Sequence, residues 1–116
     1  MIELLKSKIH RATVTNSNLN YEGSISIAQE LCEAAQIIEY QKVCIVDLNN
    51  GNRFETYVIF SDVPGTVCLN GAAARKVCVG DLIIIMAYRF SNENDLTQYT
   101  PVVVHLNEQN QILDCK

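Results

Sequence analysis

Arg53 and Tyr57 stand four positions apart in the run Asn50-Gly51-Asn52-Arg53-Phe54-Glu55-Thr56-Tyr57. Alternate side chains of a strand share a face. Arg53, Glu55, Tyr57 and Ile59 therefore point one way, and Phe54, Thr56, Val58 and Phe60 the other, which is the natural core side. A guanidinium offers a planar fork of donors that suits a carboxylate. A phenol on the same face can supply a proton. The same pattern also suits an ordinary solvated face. Two further stretches bear on this. Gly23-Ser24, in Tyr21-Glu22-Gly23-Ser24-Ile25-Ser26, reads on its own as a turn, and Ser24 has no identifiable structural task. Asn70-Gly71-Ala72-Ala73 is either a tight turn entering a helix or a floor of small residues presenting backbone N–H groups to a ligand.

Size and composition limit the setting for this chemistry. The chain has 116 residues, which suits one domain over 1–116, and 48% are hydrophobic, enough for a core of Ile, Val, Leu and Ala without Trp. Its net charge of -4 disfavours a nucleic-acid surface, which needs clustered cations, but allows a local cationic pocket for a small acid. The five cysteines are widely spaced, no C-x-x-C occurs and there are two histidines, so no metal site is expected. No apolar run reaches membrane-spanning length and no targeting signal is evident, so no membrane association is expected. Reduced cytoplasmic thiols, mostly packed in the core, are the expectation.

The elements that must hold these residues read as mainly β. Residues 9–15 alternate as a strand, with Ile9, Arg11, Thr13 and Thr15 opposite His10, Ala12 and Val14. Residues 16–20, Asn-Ser-Asn-Leu-Asn, are rich in turn formers, and a short strand continues through Tyr21. Ser26 followed by Gln29 matches a capping box, so a helix is expected over 27–37 with Ile27, Leu31, Ala34 and Ile38 on one face. Two β-branched runs around Asn50-Gly51 predict a hairpin. A short strand and a helical turn follow at Thr66–Lys76. Leu82–Ala87 is apolar enough for a strand buried on both faces. One more strand, a turn and a short last strand complete six or seven strands, which close most simply into a barrel. The segment from Glu108 supports no particular role.

Four motifs recur in a set order: Lys8-x-His10, Tyr21-Glu22-Gly23-Ser24, Asn50-Gly51-x-Arg53-x-x-Thr56-Tyr57, and Asn70-Gly71-Ala72-Ala73-Ala74. Together, over roughly residues 1–107, they closely resemble the pyruvoyl-dependent aspartate 1-decarboxylase family. The resemblance implies a double-psi β-barrel with one or two short helices, assembled as a homotetramer with sites between subunits. It implies an inactive proenzyme that cleaves itself between Gly23 and Ser24. The Ser24 hydroxyl would attack the Gly23 carbonyl carbon, and β-elimination and loss of ammonia would leave a pyruvoyl group on a long α chain, 24–116, beside a short β chain, 1–23. That covalent cofactor, with no metal, would form an imine with L-aspartate and yield β-alanine and CO2 for pantothenate and coenzyme A biosynthesis. The resemblance gives Arg53 and Lys8 the substrate carboxylates and Tyr57 the reprotonation of the carbanion. It gives Thr56 the attacked carbonyl oxygen during cleavage and a place in the substrate site. Asn70, Gly71, Ala72 and Ala73 would position the pyruvoyl or the substrate, and His10 would be a wall residue or proton carrier. Strict alternation sets Thr56 and Tyr57 on opposite faces, so a bulge or a neighbouring subunit is expected to reconcile them. Cleavage is either spontaneous or assisted by a maturation factor. The reading from another class is a non-catalytic β-barrel module that binds a small acid or a partner protein.

Overall fold

The computed structural model describes residues 1–116, the side chain of Asp95 excepted. Its strands are β1 (Ile2–Thr13), β2 (Asn16–Asn18), β3 (Ser24–Ala28), β4 (Lys42–Asp47), β5 (Arg53–Ser61), β6 (Val67–Asn70), β7 (Leu82–Ser91), β8 (Val102–Leu106) and β9 (Ile112–Cys115). One α-helix, α1 (Gln29–Ala34), and two short 3-10 helices, Gly71–Lys76 and Glu93–Asp95, interrupt them. The strands hydrogen-bond in the order β2-β6-β3-β5-β4-β7-β1-β8-β9. Pairs β1–β8, β2–β6 and β3–β5 are parallel and the rest antiparallel. The chain is mainly β, as expected, and the architecture is consistent with a β-barrel.

The core follows from alternation. Ile9, Ile45, Ile83 and Ile85 lie on one side of the β1–β7–β4 sheet, and Ile25, Ile27, Val58, Val67 and Leu69 on that of β3–β5–β6, all fully buried. They form one contiguous cluster with Leu31 and Val104. Each such aliphatic side chain contributes about 1.5–3 kcal/mol by leaving water.

Several expectations are corrected. The helix over 27–37 is in fact strand β3 followed by the six-residue α1. Ile25 and Ile27 are β-branched and fill the core between β5 and β6, and this packing overrides the local capping signal. Ala28, not Ser26, precedes the helix, and no side chain caps it. Ile38, expected on the apolar stripe, is exposed. Residues 16–18 form a strand because β6 offers them a parallel partner, and Tyr21 lies outside it. The alternation of residues 9–15 breaks where Arg11 takes φ +63° and the β1–β7 register slips, which turns both Ile9 and Ala12 inward. The 82–87 strand runs on to Ser91. Ile83, Ile85 and Ala87 are buried, but Leu82, Ile84 and Met86 are only half-buried, because their face is the outer one. Nine strands replace six or seven, since β3 lies where a helix is expected to start and β2 lies among turn formers. Cys32 and Cys44 are buried, whereas Cys68 is intermediate and Cys78 and Cys115 are exposed, so the thiols are not mostly core.

The hairpin of β4 and β5 is present, with a five-residue loop of residues 48–52 instead of a two-residue turn. Buried Asp47 accounts for it. Its Oδ1 accepts the N–H groups of Asn49 at 2.7 Å and Asn50 at 3.3 Å, and Gly51 sits at φ +76°. The last segment also has a structural role. Asn110, at φ +58°, is buried between distant loops. Its Oδ1 accepts the Thr13 N–H at 2.7 Å, and its Nδ2 donates to Thr13 O at 2.8 Å and Gly65 O at 2.9 Å. Asn110→Ala would strand these groups and place a less tolerant residue at positive φ. A loss of about 2–4 kcal/mol in urea unfolding is expected, and an unchanged midpoint would contradict this role.

Candidate active site

Ser24 opens β3, level with Asn70 on the antiparallel neighbour β6, and is almost fully buried. Asn70 Nδ2 donates to Ser24 Oγ at 2.9 Å and to Ser26 Oγ at 3.0 Å. Its Oδ1 accepts from the Cys68 thiol at 3.3 Å. Burial pushes the Cys68 thiol up, so it remains a protonated donor. The amide is thus held from three sides and fixes the direction of the Ser24 hydroxyl, which lies 3.5 Å from Glu22 O. Sequence reasoning missed Cys68 and gave Ser26 a capping role. The available signal was spacing: Cys68 and Asn70 share one face of β6, and Ser24 and Ser26 one face of β3.

Gly71 follows at φ +65° and presses on the residues before Ser24. A Cβ there would lie 2.7 Å from both the Cα and N of Gly23 and 2.9 Å from Tyr21 O. Only glycine permits this approach. Gly71→Ala is therefore expected to push the Gly23–Ser24 peptide out of place and cost on the order of 2–4 kcal/mol. Thermal unfolding and the extent of chain cleavage would both report it, and wild-type values in both would refute the contact.

Thr56 and Tyr57 reach the same place without a bulge. The β4–β5 register is regular from Lys42↔Tyr57 to Val46↔Arg53. On its other edge β5 pairs with β3 only from Ile25↔Val58 onward. One step back along that parallel register sets Ser24 level with Tyr57, and the next sets Gly23 level with Thr56. Along this open edge lies a cavity of about 420 Å³, lined by Gly23, Thr56, Tyr57, Ala72, Ala73 and Lys76, among others. Side chains of both faces border it because no strand covers the edge there. A broader groove of about 930 Å³ reaches Asn70 and Ser26 from another side, and neither Arg53 nor Tyr57 lines it.

Lys8, His10 and Arg53 stand elsewhere. Lys8 is level with Met86 on β7, Met86 with Cys44 on β4, and Cys44 with Glu55 on β5. Three strand steps of about 4.8 Å separate the Lys8 backbone from β5. All project from the outer face of this sheet. Arg53 is exposed, with Nη1 3.6 Å from Cys44 Sγ. Burial, then Lys8, His105 and Arg11 hold His10 below the usual imidazole range. Among the described residues, no hydrogen bond or ion pair joins Lys8, His10 or Arg53 to Ser24, and no cluster of three or more His, Cys, Asp or Glu side chains suited to a metal occurs. One protomer thus gathers Gly23, Ser24, Thr56, Tyr57 and Asn70–Ala73, and keeps a cationic face apart.

The aspartate decarboxylase family model matches residues 1–113. An aspartate 1-decarboxylase of Campylobacter fetus subsp. fetus (strain 82-40) is 57% identical over 96% of this chain and 96% of its own length. That of Campylobacter concisus (strain 13826) is 58% identical over 97% and 96%. The aspartate 1-decarboxylase of Helicobacter pylori (strain HPAG1) is 53% identical over 97% of each chain. With near full-length matches on both sides, the chain belongs to the aspartate decarboxylase family.

Proposed function

We propose that this protein is an aspartate 1-decarboxylase, made as a proenzyme and matured by its own Gly23–Ser24 cleavage into chains 1–23 and 24–116. The observation that carries the reading is the buried Ser24 hydroxyl, tethered by Asn70 at 2.9 Å beside a Gly23 pressed against Gly71. Attack by Ser24 Oγ on the Gly23 carbonyl carbon moves the acyl group from nitrogen to oxygen. Loss of the Ser24 Cα hydrogen then expels the Gly23 carboxylate, and hydrolysis with release of ammonia leaves a pyruvoyl group at position 24. Thr56 would donate its hydroxyl to the carbonyl oxygen as charge develops there, a role that its lining of one cavity with Gly23 supports.

The residues present fit a pyruvoyl group. Asn70 Nδ2 is a donor and a ketone oxygen is an acceptor, while Ala72 and Ala73 leave space in the 420 Å³ cavity. Such a group supplies a ketone that takes up an amine and accepts the electron pair freed as CO2 departs. The chain's own side chains do the rest. Arg53 and Lys8 hold the two carboxylates of L-aspartate. The Tyr57 hydroxyl returns a proton to the carbon that lost its carboxylate, giving β-alanine. The separation of Lys8, His10 and Arg53 from Ser24 within one protomer supports a homotetramer in which a neighbouring subunit brings the cationic face to the pyruvoyl. Exposed Tyr88 and Phe90 on that outer face are suited to such a contact. Among the described residues, no helix is long and apolar enough to cross a membrane. A biosynthetic role in the cytoplasm, on the path to pantothenate, accords with this reading, and assistance by a maturation factor is compatible with it.

Incubation of the cleaved protein with L-aspartate, without added cofactor, is expected to yield β-alanine and CO2. No product from fully cleaved protein would sink the decarboxylase reading and favour a barrel that only binds a small acid or a partner.

A further inference from the structure

One rung of the sheet carries three titratable side chains in contact. His10 on β1 is level with His105 on parallel β8, and His105 with Asp114 on β9. The two imidazole rings meet nearly edge to face, centroids 5.5 Å apart and planes at 75°. His105 Nδ1 lies 2.5 Å from Asp114 Oδ1. Nδ1 of His10 is shielded from solvent and bonds to no protein atom among the described residues. Lys8 lies two positions before His10 on the same face, and the proposed reaction uses neither His105 nor Asp114.

We infer that Asp114 and His105 are positioning residues for His10, fixing its ring plane and tautomer so that Nε2–H donates to a substrate carboxylate beside Lys8. The inference rests on the decarboxylase reading for the identity of that carboxylate, and on geometry for the tether. Asp114 accepts the Nδ1 hydrogen of His105 and so locks that ring. The locked ring abuts His10 and leaves it one orientation. A charged His10 would carry a buried Nδ1–H with no acceptor, next to Lys8, Arg11 and His105. The neutral ring with its hydrogen on Nε2 avoids that cost. Its low basicity, set first by burial and then by the neighbouring Lys8, His105 and Arg11, agrees. On β7, Met86 is level with Lys8 and Ile84 falls in the register gap opposite His10, and neither titrates. A neutral donor beside an ammonium suits a carboxylate, which accepts from both.

The test joins nitrogen-15 NMR of the histidine side chains with steady-state kinetics, on the full-length protein as purified, its His105→Leu variant and its Asp114→Asn variant. The expected wild-type spectrum shows His10 neutral near pH 7 with its hydrogen on Nε2. In both variants that signal moves toward a mixture of ring forms. The KM for L-aspartate rises roughly threefold to tenfold, the loss of about one hydrogen bond, while kcat stays within about twofold. A His10 spectrum indifferent to both changes overturns the inference. A kcat that falls with KM unchanged, or a KM that stays at its wild-type value, also overturns it. If wild-type protein makes no β-alanine, the decarboxylase reading and with it the carboxylate role fail, whereas the spectra decide the tether separately.

Discussion

Ser24→Ala is expected to remain a single full-length chain and to produce no β-alanine from L-aspartate. Alanine has neither the oxygen that attacks Gly23 nor the leaving group that elimination requires. The fold should survive. Ser24 loses one hydrogen bond from Asn70, but Asn70 Nδ2 keeps Ser26 Oγ as acceptor at 3.0 Å. The expected cost is about 1 kcal/mol, visible as a small fall in unfolding midpoint. Gel analysis and a β-alanine assay check the result. A cleaved or active Ser24→Ala protein would show that another residue supplies the chemistry.

Tyr57→Phe separates maturation from turnover. The ring stays, so the cavity beside Gly23, Ala72 and Ala73 keeps its wall. Cleavage should proceed as in the wild type, because Ser24, Asn70 and Thr56 are untouched. Turnover should fall by about 10²–10⁴, the usual worth of a positioned proton donor. Tyr57 is 37% exposed in one protomer and lines that cavity. Rates of β-alanine formation by fully cleaved protein are the measurement. Wild-type turnover would remove Tyr57 from the protonation step.

The sequence was most informative where periodicity and side-chain type agreed. The β4–β5 hairpin, the two faces of β5 and the helical turn after Asn70 were legible because each is a local pattern. The gathering of Asn70–Ala73 with Gly23 and Ser24 was foreseen only through the order of motifs, since the contact spans 46 residues between Ser24 and Asn70. Ser26 misled for a physical reason. A serine followed three positions later by Gln29 suits a helix start, but Ile25 and Ile27 gain more by filling the core between two strands. The bulge at Arg11 was invisible because a positive φ at arginine leaves no mark in composition. Thr56 and Tyr57 were set against each other by alternation, a rule about faces. The cavity lies at an edge, where both faces end. Asn110 reaches Thr13 and Gly65 far away in the chain, and the rung of His10, His105 and Asp114 depends on the parallel pairing of β1 with β8, neither of which a local pattern encodes.

The central claim is that Ser24 becomes a pyruvoyl group, and the intact mass of freshly purified protein under denaturing conditions tests it most directly. Two chains divided after Gly23 are predicted, the longer lighter by one ammonia than the same fragment made by plain hydrolysis. A single full-length mass that persists through warming and incubation with cell extract would contradict it.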